Sequence, residues 1–265
     1  MLRCEVILCR DMAQRGQKML QAMAAAAKPA GVKVTVTQTW TGRVPVVMSY
    51  GLGHPVRRQW TRTHVRRGGR LIGWDLGYWL RDEPLNFHMR VTIDDDHPHR
   101  FIRPMPAGRF EAAEIELRED FDLSGPIVLC GLGKKQRDVK GYRGQQWELE
   151  ALQRIRRAHP GKRIVYHPKR AEPALPDCTI SLERIEDAIR GASLVVCSHS
   201  NVAVDACIAG VPVECEDGAA FALYRDNPAP SREQRLEFLR SLAWWQWTPQ
   251  EAVQAWQFLK ERLSA

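Results

Sequence analysis

The stretch Leu194–Cys215, LVVCSHSNVAVDACIAGVPVEC, gathers small polar and acidic side chains between two apolar runs. The first run ends in Ser198, His199, Ser200 and Asn201. A helix-compatible run holding Asp205 begins at once, and Gly210 permits a tight return into VPVEC. The pattern predicts a helix N-terminus at the carboxyl end of a strand. Backbone N–H groups and the helix dipole attract phosphate at such a place, and open α/β sheets bind ligands there. A plain strand-to-helix connection capped by Ser and Asn has the same spacing. Gly131-Leu132-Gly133-Lys134-Lys135 follows another apolar run. It lacks the third glycine of a dinucleotide fingerprint and is not a P-loop. Its lysines read either as counter-charge for a diphosphate or as exposed loop residues. His167 and Lys169, in RIVYHPKR, close a further strand-like run.

The first half is unusual in charge between Met48 and Trp79. Arg57, Arg58, Arg62, Arg66, Arg67 and Arg70 lie between Tyr50 and Asp75 with no acidic residue among them. A helix over Pro55–Arg67 puts Arg58, Arg62 and Arg66 near one face. Such a stripe suits a nucleic-acid backbone or a sugar phosphate; a solvated helix face is the alternative. Asp75 closes the strand-like run Arg70–Asp75, and Asp94 closes His88–Asp94. The carboxylates and imidazoles of Asp94-Asp95-Asp96-His97-Pro98-His99 are of types that bind divalent ions. An acidic turn after a strand is the reading adopted, and no metal is expected.

These residues need elements to position them, and the hydrophobic pattern supplies a repeating alternation. Cys4–Cys9, Val32–Thr37, Val44–Gly51, Arg70–Asp75 and His88–Asp94 read as strands, with helices over Asp11–Ala27 and Pro55–Arg67. Pro98–Gly125 loosens into Pro, Gly and acidic residues and reads as a connection. The alternation then restarts with strands at Gly125–Gly133, Arg163–Pro168, Leu194–Ser200 and Val211–Cys215. Helices are expected at Gln145–Ala158, Ser181–Arg190 (with Ser181 as cap) and Asn201–Ala209. The tail predicts a helix capped by Thr248, with Pro249 at its first position and Glu251 completing a capping box. Ala252, Trp256, Leu259 and Leu263 form its apolar stripe. Trp244, Trp245 and Trp247 are expected to cement packing rather than stack bases. The fold class is α/β: two Rossmann-like doubly wound domains, residues 1–122 and 123–265, with the terminal helix packing back.

Composition agrees. The 265 residues are 44% apolar and 26% charged, the balance of a globular protein rather than a disordered one. No apolar run approaches the roughly 20 residues needed to cross a bilayer, and the N-terminus reaches charge too soon for a secretory signal, so a cytoplasmic protein is expected. Seven cysteines without CxxC spacing read as buried thiols. A formal net charge of +8 suits a polyanionic partner.

SHSNVAVDACIAGVPV resembles the donor-binding segment of GT-B-fold glycosyltransferases, through Ser200-Asn201, Asp205, Ala206, Gly210 and Pro212-Val213. IVYHPKR resembles the His-Pro element of capsule-type sugar transferases and non-hydrolysing sugar-nucleotide epimerases. IVLCGLGKK stands where the GT-B C-terminal domain has its first strand and Gly turn. The likeness spans roughly residues 125–215, and the acidic position, commonly Glu in the family, is Asp205 here. Small members resemble phage-encoded enzymes that glycosylate hydroxymethylated DNA bases. The resemblance implies a GT-B-like, metal-independent glycosyltransferase. Its C-terminal domain would hold a nucleotide diphosphate sugar, UDP-linked by preference, through Gly131, Gly133, Lys134, His167, Lys169, Ser198, His199, Ser200, Asn201 and Asp205. The N-terminal domain would present the acceptor, with Asp75 first and Asp94 second as the base that takes the acceptor hydroxyl's proton. Arg57, Arg58, Arg62, Arg66 and Arg67 would bind DNA carrying a modified base, flipped out to be reached. The alternatives are a sugar-nucleotide epimerase or capsule-type carbohydrate transferase, and a non-catalytic nucleic-acid-binding protein on the same scaffold. No cofactor beyond the nucleotide-sugar co-substrate is expected. Sugar identity and oligomeric state stay open.

Overall fold

The computed structural model of the protein describes residues 1–263. β1 (Leu2–Ile7), α1 (Gln14–Ala26), β2 (Val32–Thr37), β3 (Val46–Tyr50), α2 (Pro55–Arg66), β4 (Arg70–Leu76) and β5 (Met89–Ile93) follow one another. Met19, Leu20 and Met23 recur at three- and four-residue spacing, so α1 buries one side. β4, β3, β1 and β2 lie in that order and run parallel, and β5 pairs antiparallel with β4. From β1 the chain steps one way to β2, then crosses back to β3 and β4. Right-handed crossovers in opposite directions place α1 and α2 on opposite faces. The order reverses between β1 and β3, which is the switch point of this sheet.

The chain continues through α3 (Gly108–Glu111), β6 (Ile127–Cys130), α4 (Lys134–Lys140), α5 (Gln146–Ala158), β7 (Ile164–His167) and β8 (Thr179–Ile180). α6 (Ile185–Ala188), β9 (Leu194–Cys197), α7 (Val202–Ala209), β10 (Val213–Cys215), α8 (Phe221–Tyr224) and α9 (Arg232–Leu242) complete this part. Its sheet is wholly parallel, in the order β10-β9-β6-β7-β8, and its switch point lies between β6 and β9. Its central strands β6 and β9 are continuous apolar runs, buried throughout because both faces are covered. Trp147, Leu152 and Ile155 of α5 pack with Ile127, Leu129, Ile164 and Tyr166 in one core.

β11 (Gln246–Trp247) then pairs antiparallel with β5 of the first sheet, and α10 (Ala252–Leu263) packs on α1. Trp256 donates its indole N–H to the Met23 carbonyl at 2.7 Å. Trp244, Trp245 and Trp247 all lie against the Phe258 ring, so they serve packing. Thr248 and Glu251 form the expected capping box, with the first turn drawn into a tighter three-ten form.

Three expectations are corrected. The compact units are Met1–Pro98 together with the segment from Trp244, and His99–Ala243. The terminal helix therefore belongs to the first unit, and the division falls at 98 rather than 122. Pro98–Gly125 is no free connection: Arg118, Asp120 and Asp122 donate their amides to the Ile208, Ala209 and Ala192 carbonyls. Ser181 does not cap a helix, because its amide extends the β7–β8 pairing onto the Tyr166 carbonyl at 2.9 Å. The helix it was to cap starts only after Arg184. Of the seven thiols, Cys4, Cys9, Cys130, Cys197 and Cys207 are buried, and Cys178 and Cys215 are partly so.

Candidate functional site

The segments after β6 and β9 leave the same edge of the second sheet. After β6, the Gly131 amide donates to the His167 carbonyl at 3.0 Å, and the Leu132 amide donates to the Glu148 carboxylate at 2.8 Å. A Cβ on Gly131 would lie 2.8 Å from the Tyr166 hydroxyl, so the position has room only for glycine. Gly133 caps α4, and the Lys169 stem passes 3.2 Å from where its Cβ would be. The structure thus brings Gly131, Gly133, His167 and Lys169 together. Lys134 instead pairs with Asp138 one turn on, at 3.0 Å.

Beneath this turn lies a partly buried polar lattice centred on Glu148. Arg137 bonds to fully buried Glu148 at 2.5 Å and grips Glu172 with both nitrogens at 2.6 and 2.8 Å. Tyr166 donates its hydroxyl to Glu172 at 2.9 Å. Arg137 and the Tyr166 hydroxyl hold the Glu172 carboxyl below its ordinary range, whereas burial raises the Tyr166 phenol. His167 is pushed below the usual imidazole value by burial, which outweighs the opposing pull of Glu183 and Glu186. At neutral pH it is the uncharged form.

After β9, Ser198 turns inward. Its buried hydroxyl accepts from Lys140 at 2.8 Å and donates to Glu216 at 3.1 Å; Glu216 also accepts from Trp147 and Arg154. Ser198 is therefore committed to a polar wall and is not turned toward a ligand. The Ser200 hydroxyl accepts the Val202 amide, and its carbonyl accepts the Ala203 amide. Two amides expected to face a phosphate are thus answered within their own turn. Asn201 occupies the cap position of α7 without capping through its side chain. His199 precedes it, its carbonyl 2.9 Å from where a Cβ of Gly218 would be. Burial pushes the Cys130 thiol up to about 12, with Asp205 adding to the rise and Lys169 opposing it, which places both charges near the end of β6. The α7 dipole, Lys169 and a neutral imidazole can together accept an anionic group.

The first sheet presents a second set at its own carboxyl edge. Asp11 follows β1, and Gly51-Leu52-Gly53-His54 follows β3. Asp75 lies near the end of β4, opposite Arg90 of β5. Arg57, one of the arginines expected to bind DNA, is instead buried against Asp11 at 3.0 Å. Asp75 accepts from the Leu76 amide at 2.8 Å and from Arg90 at 3.4 Å. Burial and the Asp75 charge raise the Tyr50 and Tyr78 phenols, while Arg90 opposes them.

Asp94 lies at the opposite edge. Because β5 runs antiparallel, its end meets the start of β4, where Asp94 bonds to Arg70 at 2.6 Å and to the Leu71 amide at 2.7 Å. Arg58 and Arg62 share Asp96 at 2.9 and 3.0 Å. Arg66 rests on the Arg62 carbonyl and the Thr63 hydroxyl, and Arg67 lies over Trp40. At 1.5 Å per residue, Arg66 is ~13 Å down the helix from Arg57, so the stripe runs away from the carboxyl edge. Asp11, which answers Arg57, and Asp96, which answers Arg58 and Arg62, both lie outside Tyr50–Asp75 in the sequence.

Sequence reasoning missed Arg137, Lys140, Glu148, Glu172 and Glu216 in one unit, and Asp11, Tyr50, His54 and Arg90 in the other. One signal was present: Gly-Leu-Gly occurs twice, after β3 and after β6, each time at a switch point.

No family model matches the chain, and no curated protein matches it. Among solved structures it is similar to the beta Kdo 2,4 transferase of Thermosulfurimonas dismutans KpsC. The TM-score is 0.55 at 11% identity, covering 92% of this chain and 91% of that one. The beta Kdo 2,7 transferase of the same KpsC gives 0.54 at 17% identity, over 98% and 100%. At such identities the likeness speaks for the fold, which is GT-B-like with two doubly wound Rossmann-like units. No helix among the described residues is long and apolar enough to cross a membrane.

Proposed function

We propose that the protein is a glycosyltransferase, moving a sugar from a nucleotide-sugar donor to an acceptor hydroxyl. The observation that carries this reading is the match, over nine-tenths or more of each chain, to the fold of two sugar transferases. In this reading the second unit takes the donor. Its Gly131–Gly133 turn, Lys169 and the start of α7 meet the phosphate, with His167, His199, Ser200, Asn201 and Asp205 around the rest of the donor. Metal independence belongs to the proposal, because Lys169 and the α7 dipole supply positive charge for the leaving phosphate. A sugar of the Kdo type is the first donor to test.

The first unit supplies the acceptor side, and the base is a carboxylate on its carboxyl edge. Asp75 is there; Asp94 is not. The acceptor is a carbohydrate hydroxyl, as in the capsule-type alternative. Of the arginines that favoured DNA, Arg58 and Arg62 are answered by Asp96 and Arg57 by Asp11, and the stripe lies along the flank of the sheet. An Arg58→Glu/Arg62→Glu/Arg66→Glu variant keeps transfer to a carbohydrate under this reading; a loss of activity confined to a DNA acceptor restores the DNA one.

A thermal-shift panel of CMP, UDP, GDP and ADP with their sugar conjugates tests the proposal. A ligand at 100 times its Kd adds about 2.7 kcal/mol of stability, so one nucleotide class should raise Tm clearly. A folded sample that responds to none of them overturns the reading and favours a binding protein without catalysis.

A further inference from the structure

The carboxyl edge of the first sheet holds a carboxylate that no motif singles out. Asp11 lies in the loop after β1, and His54 is the last residue before α2. The two loops leave neighbouring strands at the switch point, where open α/β sheets take their ligands. Arg57 reaches Oδ1 of Asp11 at 3.0 Å, and His54 Nε2 stands 3.5 Å from Oδ2. The Arg57 side chain is only 7% exposed and also bonds to the Gly51 carbonyl, whereas the Asp11 side chain is 58% exposed. One oxygen is thus tethered by a fixed guanidinium, and the other is aimed beside an imidazole with solvent access. Asp75 differs: its side chain is 37% exposed and both its oxygens are engaged, by the Leu76 amide and by Arg90.

Resting on the sugar-transfer reading, we infer that Asp11 is the group that takes the proton from the acceptor hydroxyl, with Arg57 and His54 as positioning residues. The acceptor O–H bond breaks and its proton passes to Oδ2 of Asp11. The oxygen's electron pair forms the bond to the anomeric carbon. The anomeric bond to the nucleotide phosphate breaks, and its electron pair leaves on that phosphate. A base must first be reachable by the proton it removes, and among the carboxylates on this edge Asp11 meets that condition best. Asp75 then acts through its neighbour, holding the Arg90 guanidinium at 3.4 Å.

The test compares Asp11→Asn, Asp75→Asn and Arg57→Lys in the full chain, using the donor that the thermal-shift panel identifies. Asp11→Asn is isosteric at an exposed side chain. It is expected to lower kcat at least ~100-fold, the lower end of what a general base contributes, while leaving the nucleotide-induced Tm shift unchanged. Asp75→Asn should lose less, and Arg57→Lys should fall between wild type and Asp11→Asn, with an altered pH profile. Asp11→Asn retaining more than a third of the wild-type kcat, or Asp75→Asn losing more than Asp11→Asn, overturns the assignment and leaves sugar transfer standing. A wild-type protein that neither binds a nucleotide nor transfers sugar overturns both.

Discussion

Two Gly-Leu-Gly turns, each between a switch-point strand and a helix, invite direct comparison. In both the leucine is buried, which pins the turn to its own core. The rest differs. Gly51 has φ of +72°, a left-handed conformation that an L side chain resists. Gly131 has no such φ and is glycine because the Tyr166 hydroxyl occupies its side-chain space. The second turn sits on fully buried Glu148 and half-buried Arg137 and Glu172, a lattice whose charges answer one another. The first is followed by His54 and by an Arg57–Asp11 pair in which the guanidinium is buried and the carboxylate is open. The same three residues therefore stand on a paired, partly buried charge lattice in one unit and beside an open carboxylate in the other. The surrounding charges, not the motif, distinguish the two.

The largest expected difference is in stability. Arg137→Met leaves Glu148 buried without its cation, which costs about 3–5 kcal/mol. Arg57→Met leaves an exposed Asp11 carboxylate, where a lost pair costs about 1 kcal/mol or less. Denaturant unfolding of both variants checks this, and equal losses would erase the distinction between lattice and open carboxylate.

Next come the glycines. Gly131→Ala should cost about 1–3 kcal/mol by overpacking, and combining it with Tyr166→Phe should recover part of that through coupling between neighbours. Gly51→Ala should cost about 1–2 kcal/mol from backbone strain. No trimmed neighbour should relieve it, but Gly51→Asn should, because Asn tolerates the left-handed region. A rescue pattern opposite to this would show that the two glycines have been assigned the wrong reasons.

The smallest effect is a pH dependence confined to the second unit. His167 in the folded chain lies below its unfolded value near 6.5, so the unfolded chain binds more protons in that window. Stability should rise with pH through it and fall on acidification below about pH 6.5. Glu172 in the folded chain lies below the unfolded value near 4.5. Its contribution is present above that value and lost as pH falls further. Unfolding free energies measured from pH 4 to 8 should show His167→Gln flattening the upper window only, and Glu172→Gln the lower one only.

The alternation of strands and helices, the two α/β halves, the capping box at Thr248 and the grouping of Gly131 with His167 and Lys169 were legible in the sequence. Each rests on local periodicity, a short-range cap or the return of adjacent strands to one edge. Three things were not. Ser198 was expected to face a ligand, yet Lys140 and Glu216, distant in the chain, pull it into the wall. Asp94 was expected as the second candidate base, yet the antiparallel run of β5 carries it to the end of the sheet opposite Asp75. The arginines of Arg57–Arg70 looked unopposed because Asp11 and Asp96 lie outside that segment in sequence. Residue types and periods fix what an element can be and which groups it carries. The edge those groups occupy, and the partner that spends their charge, depend on strand direction and long-range packing, so only the tertiary structure decides them.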